Sequence, residues 1–134
     1  MQIDPTYSGI LLSMLVVALL LLVQLLVADV IGLMRKHEPG TPIAASHDDL
    51  LFRASRAIAN SNESVAIFVL LALAGMFSEA SPWFLNLGCG LYVAGRLGHM
   101  VCYYADLRLA RSVTFALALV GLGVLGVTDA SAML

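Results

Sequence analysis

Residues 56–75 read RAIANSNESVAIFVLLALAG. The second half is an apolar run, while the first half places an arginine, two asparagines and a glutamate on what must be the same helix. At about 100° per residue, Arg53, Arg56, Asn60 and Glu63, spaced 3, 4 and 3 apart, fall within an arc of roughly 80°. They form one polar face. Asn62 points almost the opposite way and Ser61 lies to the side, so the polar residues of this stretch belong to different surfaces. A second stripe of Arg96, His99 and Tyr103, spaced 3 and 4 apart, spans an arc of about 60°.

The surroundings of these stripes are apolar. The chain has 134 residues, 60% of them hydrophobic and 12% charged, with a mean hydropathy of +0.94, outside the range of soluble globular domains. Four apolar runs, at 7–34, 50–77, 82–106 and 109–130, each reach the roughly 20 residues of a bilayer-spanning helix. Runs of this length favour helices over strands, because lipid supplies no partner for unpaired backbone groups. The expectation is therefore an all-α integral membrane four-helix bundle, with one domain covering 1–134. The first run lacks a basic flank and is about twice the length of a signal-peptide core, so it reads as a retained helix. Cys89 and Cys102 carry neither a disulfide framework nor metal-ligand spacing and read as small buried apolar residues.

The connections follow from turn chemistry. Pro39, Gly40 and Pro42 break the chain after the first helix, and Ser46 with Asp49 fits a capping signal for the second. Ser81 and Pro82 fit the N-cap and first position of the third. ADLRLARS is short enough to make the third and fourth helices antiparallel neighbours, and glycines at 88, 90, 95, 98, 121, 123 and 126 give them faces for close approach. All seven basic residues, Arg35, Lys36, Arg53, Arg56, Arg96, Arg108 and Arg111, lie near the first and third connections. The positive-inside rule turns that end to the cytoplasm and both termini away from it.

In this layout both polar stripes occupy one leaflet. Ionisable groups inside a span cost about 2.5–3.5 kcal/mol each near its centre on insertion scales and face a partner or a water-filled cavity. Arg35, Lys36 and Arg53 read equally well as residues snorkelling to head groups. For the others, three arginines on the second and third helices stand against only Glu63 and Asp106, before Arg108 and Arg111 are counted. This surplus positive charge points to an anionic ligand.

At these residues the chain resembles the MAPEG family, the membrane-associated proteins in eicosanoid and glutathione metabolism. Arg56, Ala57, Asn60 and Glu63 match the signature of the family's second helix. RLGHMVCYYADLRLARSVTF at 96–115 is similar to the segment joining the third and fourth helices in its microsomal glutathione transferases and prostaglandin E synthases. The resemblance implies a homotrimer with glutathione bound between subunits at the cytoplasmic side. It implies that Arg56, Asn60 and Glu63 hold the peptide, that Arg96, His99 and Tyr103 line the pocket, and that Arg35, Arg53 and Arg108 add basic contacts. Arg111, followed by Ser112, matches the arginine that activates the thiol. The implied activity is glutathione transfer or peroxide reduction on lipophilic substrates arriving from membrane lipid, with no nucleic-acid partner.

Some positions depart from the family pattern. Ala66 and Ile67 replace a proline common after the glutamate. Ile58 and Ser64 stand where leukotriene-forming members have polar or aromatic contacts, and Phe115 stands where the prostaglandin synthase has tyrosine. These changes argue against a dedicated eicosanoid synthase. The Arg108–Arg111 connection is one residue shorter than in that synthase, so both arginines are candidates for the sulfur, with Arg111 preferred. Tyr92, Tyr104 and Trp83 read as packing residues or interfacial anchors. The competing readings are a non-catalytic glutathione- or lipid-binding member, and a small multidrug-type transporter relying on Asp29. The expected location is a bacterial inner membrane.

Overall fold

The computed structural model describes residues 5–134. After a 3-10 turn at Pro5–Tyr7 come four helices: α1 Ser8–Met34, α2 Leu50–Phe77, α3 Pro82–Tyr104 and α4 Arg108–Met133. The expected runs therefore hold, with α3 ending two residues early and α4 extending three residues further. No strand occurs among the described residues. By length and composition, α1, α2 and α4 are apolar enough to cross a membrane. α3 is also long enough, at 23 residues or about 34 Å, but Arg96, His99 and its glycines lower its hydropathy.

Helix ends explain the short connections. Lys36, Glu79 and Asp106 adopt left-handed backbone conformations, at φ 53°, 53° and 54°. Each directly follows a helix C-cap and allows the next amide to reach back. His37 N–H bonds the Gly32 carbonyl at 3.0 Å, Ala80 N–H that of Gly75 at 3.0 Å and Leu107 N–H that of Cys102 at 2.8 Å. These bonds satisfy carbonyls that lipid would leave unpaired. At the start of α2 the cap is Asp49, which accepts from Leu51 N–H at 3.0 Å; Ser46 instead shapes the preceding turn, accepting from Asp48 N–H. Ser81 occupies the N-cap position of α3 with Pro82 at N1, without a side-chain capping bond.

The bundle is apolar outside and mixed inside. Leucines and valines along α1, including Leu12, Leu15, Leu19 and Leu26, are exposed. The core toward the end with few basic residues packs Ile10, Val17, Phe68, Ala72, Leu85, Cys89, Tyr92 and Leu125. Polar Gln24, Ser61, Ser64, Arg96, His99 and Asp129 are buried. Asp129 is only 4% exposed and lies against Gly75 near the end of α2. Cys89 and Cys102 are both buried free thiols.

α3 and α4 pack most closely because their facing glycines admit backbone contact. A Cβ on Gly121 would lie 2.6 Å from Tyr92 N and 2.7 Å from the Gly88 carbonyl oxygen, and one on Gly95 would lie 2.8 Å from Ala118 Cα. Gly90, Gly123 and Gly126 meet open space, so only part of the glycine pattern serves this contact. Gly121→Ala is therefore expected to force α3 and α4 apart at a cost of about 1–3 kcal/mol. Gly90→Ala should leave stability unchanged or slightly raised, and thermal unfolding of the two variants in detergent measures the difference.

Candidate functional site

The two polar stripes meet through Arg96. Its side chain is 2% exposed; Nη1 donates to Asn60 Oδ1 at 2.7 Å and Nη2 donates to Ser64 Oγ. Its guanidinium carbon lies 5.5 Å from the ring centroids of both Tyr92 and Phe115, within range of a cation–π contact. Neutral oxygens and aromatic faces thus surround a permanent charge. No carboxylate pairs with it, and the one ion pair among the described residues joins Arg108 to Asp106 at 3.8 Å on the surface.

A small cavity of about 220 Å³ opens beside this arginine, lined by Asn60, His99, Arg111, Ser112 and Phe115. Helical spacing brings these groups together. His99 lies one turn beyond Arg96 on α3, and Arg111 and Phe115 lie one turn apart on α4, so the two helices present facing walls. The His99 ring packs edge-on against Tyr103 at 4.9 Å and tilted against Phe115 at 5.8 Å. The Arg111 guanidinium carbon lies 4.4 Å from the Tyr103 ring centroid, which orients that cation without engaging its N–H groups. Ser112 bonds the Arg108 carbonyl at 3.3 Å. The cavity therefore offers fixed donors and positive charge beside aromatic surface, an environment suited to an anion or a polarisable sulfur.

Of the residues expected to form the site, Asn60, Arg96, His99, Tyr103, Arg111 and Ser112 come together. Arg56 and Glu63 lie on an exposed face of α2, with no ion pair between them. Arg35 is exposed at the end of α1 and Arg108 at the start of α4. Arg53 instead ties two connections together: Nη1 donates to the His47 carbonyl and Nη2 to the Tyr104 carbonyl at 3.4 Å. Asp29 is exposed and borders a separate cavity of about 600 Å³ between α1, the first connection and α2.

Ser64 and Tyr92 were not counted among the site residues, although their spacing was informative. Tyr92 is four residues before Arg96 and extends its stripe; Ser64 is four after Asn60 and extends the α2 face. Of its two expected roles, packing residue or interfacial anchor, Tyr92 takes the first. It is 1% exposed, stacks on Phe68 at 4.3 Å with rings 8° from parallel, and its hydroxyl lies 2.9 Å from Ser64 Oγ.

An all-helical membrane bundle with a cation-lined cavity at its basic end defines the class of protein. The sequence profile of the MAPEG family matches residues 10–130, nearly the whole chain, and the protein belongs to that family. Membership makes it an integral membrane protein of the glutathione- and eicosanoid-related kind, in a family whose members generally use glutathione and include both enzymes and non-enzymatic proteins. No match to the chain is found among curated proteins.

The Arg53 arrangement yields a separate expectation. Arg53→Ala should free the 35–49 connection from the end of α3, raising proteolysis there several-fold, while global stability falls by only about 1 kcal/mol. Limited proteolysis beside thermal unfolding distinguishes these effects.

Proposed function

We propose that the protein is a glutathione-dependent membrane enzyme, a transferase or peroxidase that activates the glutathione thiol against lipophilic electrophiles or lipid hydroperoxides. The observation that carries this reading is Arg111 in the wall of a cavity whose Asn60 is bonded by the buried Arg96, with no ion pair to either arginine among the described residues. The cavity is smaller than the roughly 300–1,000 Å³ of a complete small-molecule site. It fits the thiol end of a tripeptide better than the whole. Arg56 and Glu63 supply the remaining polar contacts: Arg56 suits a carboxylate and Glu63 the amino group.

Their exposure supports a homotrimer with the site between subunits. Glu63 lies 13 residues into α2, about 20 Å along its axis, where a carboxylate facing lipid would be costly. A neighbouring subunit and its bound peptide would cover it. Arg35 also becomes useful only in such an assembly, on the face a neighbour presents. Asp29 faces outward on α1, whereas a proton-coupled exporter requires its acid inside the bundle.

The thiol chemistry follows from charge. Only the thiolate is nucleophilic, and an adjacent guanidinium favours it over the neutral thiol, whose ordinary pKa is near 8.5. Arg111 stacks on Tyr103 and its guanidinium N–H groups bond no described residue, which suits it to this role. Arg108 is exposed and paired with Asp106. Ser112 adds a hydroxyl at the same wall. After attack, the sulfur is bonded to the electrophile's carbon and the leaving group departs with its electron pair. In peroxide reduction the thiolate sulfur instead attacks the terminal peroxide oxygen, and the alkoxide leaves with the O–O electron pair and takes up a proton. A second glutathione thiol then converts the resulting sulfenic acid to the disulfide with loss of water.

Adding glutathione to detergent-solubilised protein at pH 7 is expected to produce an ultraviolet thiolate band, with the bound thiol's pKa lowered by about 1–3 units. Arg111→Ala should abolish the band. Arg56→Ala should retain it while weakening affinity by roughly 10–100-fold, the loss of a charge-assisted contact. Absence of both band and binding in the wild type would reject the reading.

A further inference from the structure

Hydrogen-bond accounting around Arg96 determines more than its burial does. Arginine nitrogens donate only, so Asn60 Oδ1 and Ser64 Oγ must both act as acceptors toward it. Ser64 Oγ lies 2.9 Å from Tyr92 Oη and 3.5 Å from the Ser61 carbonyl oxygen. One assignment uses every hydroxyl proton: Tyr92 O–H donates to Ser64 Oγ, and Ser64 O–H donates to the Ser61 carbonyl. Reversing the first bond would leave the Tyr92 proton, in a side chain 1% exposed, without an acceptor. Ser61 Oγ does not compete, since it bonds the Ala57 carbonyl at 3.1 Å.

This arrangement has a consequence at the cavity. Arg96 is held at Nη2 by Ser64 and at its faces by Tyr92 and Phe115, which leaves Nη1 aimed at Asn60. The oxygen end of the Asn60 amide therefore turns toward Arg96. Its nitrogen end, with two N–H groups, is left for the cavity that Asn60 lines.

We propose that Ser64 and Tyr92 are positioning residues that fix, through Arg96, which end of the Asn60 amide faces the cavity, making that wall a donor surface selective for an acceptor group of the bound peptide. The choice of peptide rests on the glutathione reading above; the amide orientation does not. With Ser64 removed, the buried Nη2 has no acceptor and the guanidinium turns to find one. Its Nη1 then leaves Asn60 Oδ1, and only this release frees the amide to flip. An amide oxygen would then meet the ligand's carbonyl or carboxylate, opposing like dipoles instead of donating.

Selective ¹⁵N-asparagine labelling makes this visible, because the chain has only Asn60, Asn62 and Asn86. The Asn60 side-chain amide signal is assigned by its loss in Asn60→Ser. Ser64→Ala and Tyr92→Phe are expected to shift that signal toward the Asn62 position, while Ser64→Thr, which retains the hydroxyl, leaves it in place. Ser64→Ala should also weaken glutathione binding roughly tenfold, with turnover at saturation within about twofold. Adding Tyr92→Phe to Ser64→Ala should cause little further change, as expected for one coupled chain. An Asn60 signal unmoved by Ser64→Ala would overturn the proposal. If the wild type binds no glutathione, the ligand reading fails, and the amide signal still decides whether Ser64 and Tyr92 orient Asn60.

Discussion

A guanidinium buried in a membrane bundle with no carboxylate beside it is the constraint on which the rest depends. Arginine cannot shed its proton to escape the cost of burial. The fold answers with local neutral partners: two oxygens from α2, and the rings of Tyr92 and Phe115 from α3 and α4. These partners satisfy directional N–H groups but do not cancel the charge. Together with Arg111 across the cavity, Arg96 leaves a positive potential in a low-dielectric site, where it acts most strongly on an incoming anion.

This requirement also accounts for the distribution of packing. Close contact between α3 and α4 through Gly88, Gly95 and Gly121 brings Phe115 over Arg96 and Arg111 over Tyr103. Looser helices would leave the guanidinium groups to find water or head groups. The apolar core of Ile10, Phe68, Leu85 and Leu125 holds the far end of the bundle. At the near end Arg53 ties the first connection to the end of α3. Thus the same sequence serves two environments, lipid along α1 and a polar, positively charged interior.

Much of this was legible from residue spacing. Runs of about 20 apolar residues gave the four helices, Pro82 marked the start of α3, and the stripes containing Asn60 and Arg96 met as their shared leaflet required. Individual partners were harder to read. Arg53 fits the same helical face as Arg56 but its long side chain reaches backbone carbonyls, which periodicity does not register. Asp129 is an acid near a chain terminus, yet Gly75 opposite it leaves room for burial. The cap of α2 fell to Asp49 over Ser46 because local backbone geometry chooses among adjacent candidates. Arg56 and Glu63 are exposed and make no ion pair among the described residues, so helical spacing grouped them with Asn60 without showing what they meet.

The central claim is that the donor-lined, positively charged cavity selects an anionic thiol peptide. Equilibrium binding of glutathione, compared with its uncharged-carboxylate diester, to purified protein in low-salt detergent solution tests this most directly. The account predicts clear binding of glutathione and at least about tenfold weaker binding of the diester, with the difference narrowing as salt is added. Equal affinity for the two, insensitive to salt, would contradict it.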